Sequence, residues 1–225
     1  MIKYNDLFQK NIAYWGNASQ NILKNSSILI AGCGGLGSVV SSNLIRSGIG
    51  KLILIDYEQV EISNLNRQIF FEVGDIGDFK TRVTKERLKA INPFCKIEIL
   101  DTKLSENTDL SSLKFNGVAD CLDNYKSRFI LEKQLDKNSF LVHGGISLDF
   151  GQITTIIHGK SKSLEEIFKG VDSFNNNGIL PQIVNIIGSL MSHEIINNLI
   201  KKPQLLNRIL VFELEDFSIN FINLN

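Results

Sequence analysis

Four glycines lie within six residues of one another, directly after a short apolar run: Gly32, Gly34, Gly35 and Gly37. Asp56 closes the next apolar run along the chain. Glycines let the backbone turn tightly and approach a phosphate, and the amides of a following helix attract its negative charge. A carboxylate at the end of the second run can accept hydrogen bonds from ribose hydroxyls. The pattern therefore predicts a nucleotide site, with a glycine-rich turn that binds no ligand as the plainer alternative.

Polar and charged residues follow Asp56 where the phosphates of a nucleotide would need them. One segment combines an amide with a guanidinium: Ser63, Asn64, Leu65, Asn66, Arg67 and Gln68. Lys80 begins the next predicted helix, and Asp123 and Asn124 follow a later apolar run. A triphosphate carries about two more negative charges than a dinucleotide pyrophosphate, and it calls for arginine, lysine and a metal ion. The residues therefore favour a nucleoside triphosphate, with a nicotinamide dinucleotide as a minor alternative.

Each candidate also has a plainer structural interpretation. Asp56 could cap the turn after its strand, and Arg67 and Lys80 could be ordinary solvated charges. Asp123 could pair with Arg128, because strand-end carboxylates also form structural ion pairs. Three residues of the 63–68 segment could serve only to shape it: Ser63, Asn66 and Gln68. Four other polar residues are interpreted as structural: Asp120, His143, His158 and His193.

The elements that must position these groups alternate between short apolar runs and segments of helical periodicity. This order is typical of βαβ units and a parallel sheet. Strands are predicted at 28–31, 52–56, 97–100, 117–121 and 140–143, and helices at 38–47, 80–91 and 127–136. Alternating runs at 151–158 and 208–222 then predict antiparallel strands around a helix at 183–200. The predicted fold class is α/β, a Rossmann-like, mostly parallel sheet with helices on both faces, continued by antiparallel strands.

No linker with a shift in composition divides the chain, so we expect a single domain over residues 1–225. Its expected parts are an N-terminal helical arm at 1–25, a nucleotide-binding βαβ part at 26–145 and a β extension at 146–225. The polar, asparagine-rich stretch at 159–178 is predicted to be a crossover loop within that extension.

Composition excludes several classes of protein. The 225 residues are 43% hydrophobic and 21% charged, which rules out a disordered chain and a coiled coil. Lys and Arg number 24, as do Asp and Glu, so no net field draws the chain to nucleic acid or to an anionic membrane. Three widely spaced cysteines predict neither a disulfide framework nor a structural zinc site. The apolar stretch at 179–200 is interrupted by polar residues and is not expected to span a membrane. Together with the polar start, these features predict a cytoplasmic protein.

Seven stretches together resemble the adenylation domain of the ThiF, MoeB and ubiquitin-activating E1 superfamily, and the resemblance covers roughly residues 5–222. They are GCGGLGS, LIDYEQVEISNLNRQ, GDFKT, INP, DCLDNYKSR, GGISLDFGQITTI and GILPQIVNIIGSLMSHEII. The resemblance implies an adenylyltransferase that uses ATP and Mg²⁺ to convert the C-terminal carboxylate of a small ubiquitin-like sulfur-carrier protein to an acyl-adenylate, with release of pyrophosphate. It implies thiamine or molybdopterin biosynthesis as the setting and a homodimer as the assembly.

The resemblance also assigns roles by motif position. It implies that the glycine loop cradles phosphate, that Asp56 binds the ribose, and that Asn64 and Arg67 hold the triphosphate. Lys80 would neutralise the α and β phosphates, and Asp123 would ligate Mg²⁺. The implied catalytic residues are Arg67, Lys80 and Asp123, and the remaining members of the implied nucleotide site are Ser63, Leu65, Asn66 and Asn124.

The chain departs from the family pattern in two ways. Lys10 stands where many relatives have an arginine that reaches the ATP of a dimer partner, and lysine lacks the bidentate recognition of phosphate. The chain also lacks the C-x-x-C pairs that hold zinc in many relatives and the cysteine of their crossover loop. Cys33, Cys95 and Cys121 are expected to be packed and inert. We therefore expect no zinc and an enzyme that stops at the acyl-adenylate.

Two other functions stay open at this point. Residues 46–50 and the SNLNRQ segment are also similar to the tRNA threonylcarbamoyladenosine dehydratase branch, although zero net charge argues against a tRNA substrate. A non-catalytic scaffold subunit of an E1-like complex would keep the fold without turnover. The presence of Arg67, Lys80 and Asp123 together argues against that alternative.

Overall fold

Eight strands form one sheet within residues 2–171 and 178–224, the parts of the chain that the computed structural model describes. The strands are β1 Ser27–Ala31, β2 Lys51–Asp56, β3 Lys96–Asp101, β4 Gly117–Asp120, β5 Phe140–Ser147, β6 Phe150–Ile157, β7 Arg208–Glu213 and β8 Ser218–Asn223. Their order across the sheet is β3-β2-β1-β4-β5-β6-β7-β8. The first five pair in parallel and the last three join antiparallel, which confirms the predicted fold class.

Seven α-helices accompany the sheet in the same parts of the chain. They are α1 Tyr4–Leu7, α2 Gln9–Lys24, α3 Gly35–Arg46, α4 Lys80–Ile91, α5 Tyr125–Lys133, α6 Leu164–Ile167 and α7 Pro181–Leu199. The helix predicted at 80–91 is confirmed at both ends. Helix α3 begins three residues before the predicted start, because the last glycines of the loop already form its first turn. No helix in these described ranges is long and apolar enough to cross a membrane.

Alternate residues of the central strands face two different helical layers. Ile28 and Ile30 of β1 pack with α3, α4 and α7, whereas Leu29 and Ala31 pack with the layer of α5 and α6. Neighbouring residues of a strand point to opposite faces, so a strand covered on both faces needs an unbroken apolar run. Each large aliphatic side chain buried in this way stabilises the fold by about 1.5–3 kcal/mol. The prediction of helices on both faces is confirmed.

The carboxyl ends of β1, β2 and β4 meet at one edge of the sheet. Ala31 lies opposite Ile55 of β2 on one side and Asp120 of β4 on the other. The order of the strands reverses here, since β2 and β3 lie on one side of β1 and β4 and β5 on the other. Ligands of open α/β sheets bind beyond the carboxyl ends of the strands at such a switch point.

Strand β5 is longer than the predicted strand at 140–143. Its hairpin with β6 extends it to Ser147, which lies opposite Phe150. Strand β4 ends one residue before the predicted end, at Asp120, which lies opposite His143 of β5. From Gly144 onwards, the β4-facing edge of β5 therefore has no strand beside it among the described residues.

A short helix interrupts the stretch predicted to be a crossover loop at 159–178. Ser163 caps α6, because its hydroxyl accepts the Glu166 N–H at 3.1 Å and the Glu166 carboxylate accepts the Ser163 N–H at 2.7 Å. Helical periodicity could not predict this element, since four residues are too few to show a period. The predicted loop also covers residues 172–177, which lie outside the described residues.

The N-terminal helices dock on the end of α3. The Tyr4 hydroxyl donates to the Gly48 carbonyl at 2.6 Å, and the Gln20 amide donates to the Ser47 carbonyl at 3.0 Å. Helix α2 bends at Gly16, whose φ of 80° is a conformation that glycine adopts without strain. Lys10 lies on the exposed side of α2.

Candidate active site

The glycine loop joins β1 to α3 and requires glycine for reasons of space. Gly32 has a φ of 93°, and a methyl group built on it would lie 2.7 Å from the Cys121 carbonyl oxygen. A methyl group on Gly37 would overlap the carbonyl oxygen of Gly32. Gly34 is the N-cap residue of α3, and no side chain caps this end of the helix. The first amides of α3 can therefore meet an anion.

Asp56 ties the end of β2 to the glycine loop. Its Oδ2 accepts the Cys33 N–H at 2.7 Å, and its Oδ1 accepts the Glu58 N–H at 2.9 Å. Asp56 thus caps the following turn, as the plainer interpretation expected, but it also fixes the loop. Burial raises the pKa of Asp56, against the two backbone donors and the nearby Lys80, which lower it.

Lys80 begins α4 and is almost completely buried, with 3% of its surface exposed. Its Nζ lies 2.5 Å from Glu58 Oε2, and its backbone N–H donates to the Glu58 carbonyl at 3.0 Å. The interpretation of Lys80 as an ordinary solvated charge is therefore wrong. Since Glu58 is two residues from Asp56, the ammonium is held close to the glycine loop.

Arg67 lies over the start of α3. A methyl group built on Gly35 would be 3.9 Å from Arg67 Cγ. Arg67 Nη1 donates to the Ser63 carbonyl at 2.9 Å and to Asn66 Oδ1 at 2.8 Å. The side chain is half-buried and forms no ion pair within the described ranges. Its charge is thus available beside the loop.

Asn64 and Gln68 are buried and shape the segment that carries Arg67. Asn64 Oδ1 accepts the Glu61 N–H at 3.0 Å, so this acceptor is committed to the loop. The Gln68 amide nitrogen would be 3.7 Å from a methyl group on Gly34, and its buried Oε1 has no partner within the described part of the chain. Sequence reasoning gave Gln68 only a shaping role and could not predict that it packs against the glycine loop.

Asp123 and Asn124 follow β4. Asn124 is the N-cap residue of α5, because its Oδ1 accepts the Ser127 N–H at 2.9 Å, and its amide donates to Asp123 Oδ1 at the same distance. The Asp123 side chain is exposed. The alternative that Asp123 pairs with Arg128 is wrong, since Arg128 pairs with Asp120 instead, at 3.2 Å.

Asp120, Arg128 and His143 form a buried cluster below this loop. His143 Nδ1 lies 2.8 Å from Asp120 Oδ2 and 2.6 Å from Arg128 Nη1. Burial and the charge of Arg128 lower the pKa of His143 to about 4, so the ring is neutral at pH 7. Burial raises the pKa of Asp120, but Arg128 and His143 outweigh it and hold the pKa below its ordinary value. This placement agrees with the structural roles expected for Asp120 and His143 but does not test them. The pattern missed the cluster because its members come from three elements.

The three cysteines are free thiols. Cys33 and Cys95 are buried and Cys121 is half-buried. Burial raises the pKa of all three thiols, that of Cys95 to about 12. Because the thiolate is the reactive form, these environments disfavour nucleophilic chemistry at neutral pH.

The donor set suits a metal ion that binds mainly through a nucleotide. Within residues 2–171 and 178–224, no group of three or more His, Cys, Asp or Glu side chains could hold a metal ion alone. Mg²⁺ usually takes one or two carboxylates, substrate phosphates and water rather than a cage of protein ligands. The exposed carboxylate of Asp123, at the switch point of the sheet, fits that kind of coordination.

Two curated relatives are similar to most of this chain. A probable molybdopterin-synthase adenylyltransferase from Porphyra purpurea is 32% identical over 201 residues, which are 85% of this chain and 53% of the relative. A sulfur carrier protein adenylyltransferase from Thermus thermophilus is 29% identical over 192 residues, which are 80% of this chain and 71% of the relative. The chain thus spans about half the length of the first relative.

Solved structures show the same fold. E. coli MccB in complex with ATP superposes with a TM-score of 0.86 at 24% sequence identity. The superposed region is 98% of this chain and 71% of the MccB chain. MccB in complex with N-formylated MccA has the same TM-score at 25% identity, over 99% of this chain and 72% of that one. The model of the ThiF family matches residues 8–225, from the N-terminal helices to the last strand. The match covers nearly the whole chain, and the chain therefore belongs to the ThiF family.

Proposed function

We propose that the chain is an ATP-dependent adenylyltransferase that activates the C-terminal carboxylate of a small ubiquitin-like sulfur-carrier protein. Its relatives from Porphyra purpurea and Thermus thermophilus bear names of this activity. The observation that carries the proposal is the set of groups around the switch point of the sheet. Asp56 accepts a hydrogen bond from the glycine loop, and Arg67 lies over the loop. The buried Lys80 is near enough to lower the pKa of Asp56. Asp123 lies two residues after Cys121, whose carbonyl faces Gly32.

The proposed reaction joins a carboxylate oxygen of the tail to the α-phosphorus of ATP. The bond from that phosphorus to the bridging oxygen breaks, and pyrophosphate leaves with the electron pair. The carboxylate is a weak nucleophile and both reactants are anions. Catalysis therefore depends on alignment and on neutralisation of charge more than on proton transfer.

The residues of the chain suit these requirements. The amides of the glycine loop and the guanidinium of Arg67 would hold the triphosphate, and the buried ammonium of Lys80 would neutralise charge at the α and β phosphates. Asp56 would accept the ribose hydroxyls with the lone pairs that Cys33 and Glu58 leave free. The other proposed members of the nucleotide site are Ser63, Asn64, Leu65, Asn66 and Asn124.

Asp123 is the proposed protein ligand of Mg²⁺. When bound, the ion would neutralise negative charge on the pyrophosphate that leaves. The side chain is exposed, and the Asn124 amide at 2.9 Å orients one of its oxygens. Its other oxygen has no hydrogen bond within the described ranges, so it can meet an ion.

The unpaired edge of β5 is the proposed place for the carrier tail. Backbone groups of alternate residues point to the same edge of a strand. The Gly144 carbonyl points to the β4 side, where Arg128 bonds it at 2.8 Å, so the N–H and carbonyl of Ile146 face that side too. An extended peptide could bond them and bring its terminal carboxylate towards the end of β1.

We also propose that the chain forms a homodimer in the cytoplasm. Four aliphatic side chains are exposed around the segment that carries Arg67, namely Ile62, Ile69, Val73 and Ile76, with Ile62 and Val73 77% and 75% exposed. A second copy of the chain would remove them from water. Light scattering should then give twice the mass of the chain, and Lys10→Ala should slow adenylation if Lys10 reaches the partner's site. An unchanged rate would remove that role for Lys10.

Exchange of labelled pyrophosphate into ATP tests the proposed activity. The assay is run with Mg²⁺ and with carriers of thiamine and molybdopterin biosynthesis, each with and without its terminal glycine pair. We expect exchange with one intact carrier and none with its truncated form. ATP cleavage to AMP that tRNA stimulates, without any carrier effect, would favour the dehydratase alternative. Binding of a carrier without exchange or ATP cleavage would favour a scaffold subunit.

A further inference from the structure

Arg128 lies between two segments that border the proposed site. Its Nη2 donates to the Leu122 carbonyl in the loop after β4, and its Nη1 donates to the Gly144 carbonyl of β5 at 2.8 Å. Asp123 follows Leu122 directly, and the unpaired edge of β5 starts at Gly144. One guanidinium thus joins the loop that carries the exposed carboxylate to the strand with the open edge.

Buried partners hold the guanidinium in place. Arg128 Nη1 lies 3.2 Å from Asp120 Oδ2 and 2.6 Å from His143 Nδ1. Asp120 Oδ1 in turn accepts the Leu122 N–H at 3.2 Å, so both backbone groups of Leu122 belong to the cluster. Asp120 and His143 are completely buried, and Arg128 is 6% exposed. A buried charge that loses its partner is strongly unfavourable, so the cluster resists rearrangement.

We propose that Arg128 is a positioning residue that fixes the Asp123 loop against β5, so that the metal-binding carboxylate and the carrier tail meet at one place. The inference rests on the proposed function, in which Asp123 binds Mg²⁺ and the β5 edge receives the tail. A guanidinium has five donors in a planar fork and can bond two carbonyls and a carboxylate at once. An ammonium is a point charge that cannot span the same set.

The pattern of effects separates positioning from a general loss of structure. The hydrogen-bond partners of Arg128 within the described residues include no residue of the glycine loop and none of Asp56, Arg67 and Lys80. Arg128→Lys should therefore leave the affinity for ATP in the absence of metal unchanged. It should weaken metal binding and raise the KM for the carrier, because both depend on the two joined segments.

Electron paramagnetic resonance of Mn²⁺ measures metal binding without turnover. With a saturating non-hydrolysable ATP analogue, we expect Arg128→Lys to raise the Kd for Mn²⁺ at least about tenfold, the usual scale for a residue that orients a metal ligand. Affinity for ATP in EDTA should change less than about twofold. Asp120→Asn weakens the anchor of Arg128 but keeps the size of the side chain at position 120. It should also raise the Kd for Mn²⁺ while it leaves the affinity for ATP in EDTA nearly unchanged, which gives a second test of the cluster.

Glu194→Gln provides a matched control. Glu194 is also a buried charge, bonded by the Thr155 hydroxyl and by the Gln204 and Leu205 N–H groups, but it lies in α7. The Glu194→Gln variant should lower the free energy of unfolding without changing the Kd for Mn²⁺. Unchanged Mn²⁺ affinity in both cluster variants, with an active wild type, would overturn the role of Arg128. Equal losses of metal-free ATP affinity and Mn²⁺ affinity would overturn it too. A wild type that neither binds Mn²⁺ with nucleotide nor exchanges pyrophosphate would instead contradict the proposed function.

Discussion

Lys80 and Glu58 form an ion pair in which the cation is buried and the anion is partly exposed. The Nζ to Oε2 distance is 2.5 Å, and the exposed fractions of the two side chains are 4% and 44%. The ammonium is thus shielded from water and paired with one carboxylate next to the glycine loop. A phosphate that enters the site can share the ammonium with Glu58, because an ammonium has three donors.

This pair gives two variants that should lower the rate to very different extents. Lys80→Met should reduce the rate of pyrophosphate exchange at least about a hundredfold, the scale for the loss of one preorganised electrostatic group. Glu58→Gln keeps the ammonium, so the rate should fall less than about tenfold. Steady-state exchange at saturating ATP compares them. Losses of similar size in the two variants would contradict a direct role for Lys80.

Arg67 should be more important for the rate than an arginine that is paired at the surface. We expect Arg67→Ala to slow exchange at least about a hundredfold, and Arg67→Lys to restore little, because lysine cannot bond phosphate bidentately. Arg82→Ala is the control, since Arg82 is 60% exposed and pairs with Asp101. If Arg67→Ala and Arg82→Ala retain the same rate, Arg67 has no role with the triphosphate.

The space around the glycine loop makes a prediction about stability. Gly37→Ala would drive a methyl group into the backbone of Gly32, and the backbone cannot move without distorting the loop. We expect a loss of about 3 kcal/mol or more in the free energy of unfolding. Gly74→Ala, with no atom within 4 Å of the added methyl group, should change it by less than about 0.5 kcal/mol. Urea unfolding measures both values, and equal stability of the two variants would contradict the packing described for the loop.

His143 should make the stability depend on pH. Its pKa is about 4 in the folded chain, below the ordinary value of 6.5 that it has in an unfolded chain. Between these values the unfolded chain binds one more proton, so stability falls as the pH drops through this window. From pH 7 to pH 5 the loss from this residue should be about 2 kcal/mol.

The variant His143→Gln isolates this contribution. Urea midpoints of the wild type and the variant are compared at pH 7 and pH 5. Burial raises the pKa of Asp56 and of Glu132, which acts in the opposite direction, but both residues are present in both proteins and their effects cancel. If the wild type and the variant lose the same stability between pH 7 and pH 5, His143 is not held neutral in the folded chain.

The sequence was sufficient for the parts of the fold that local periodicity encodes. Strand β2 and helix α4 lie where apolar runs and a Pro93 stop predicted them, and Asp56 lies at its expected strand end. The length of β5 could not be predicted, because it depends on a partner strand across the sheet. The partner of Arg128 could not be predicted for a similar reason. Its partner Asp120 is eight positions away, and only the turn after β4 brings the two side chains together.

The candidate site divides in the same way. The glycine loop, Lys80 and Asp123 lie in the motifs that carry the family resemblance, so the sequence alone could propose them as site residues. Burial of Lys80 and the packing of Gln68 against Gly34 result from the path of the 57–79 segment, which has no repeating pattern. For that reason the interpretation of Lys80 as a solvated charge could be rejected only with the structure.

The central claim is that the carboxylate of a carrier protein attacks the α-phosphorus of ATP. A carrier labelled with oxygen-18 in its terminal carboxylate tests it most directly. The acyl-adenylate is formed with the chain, ATP and Mg²⁺ and is then cleaved with hydroxylamine, which attacks the carbonyl carbon. If the carboxylate attacks, the AMP contains one oxygen-18 atom from the carrier, which mass spectrometry detects. AMP without the label, formed at the same rate with or without the carrier, would show that water attacks ATP and would contradict an attack by the carrier carboxylate.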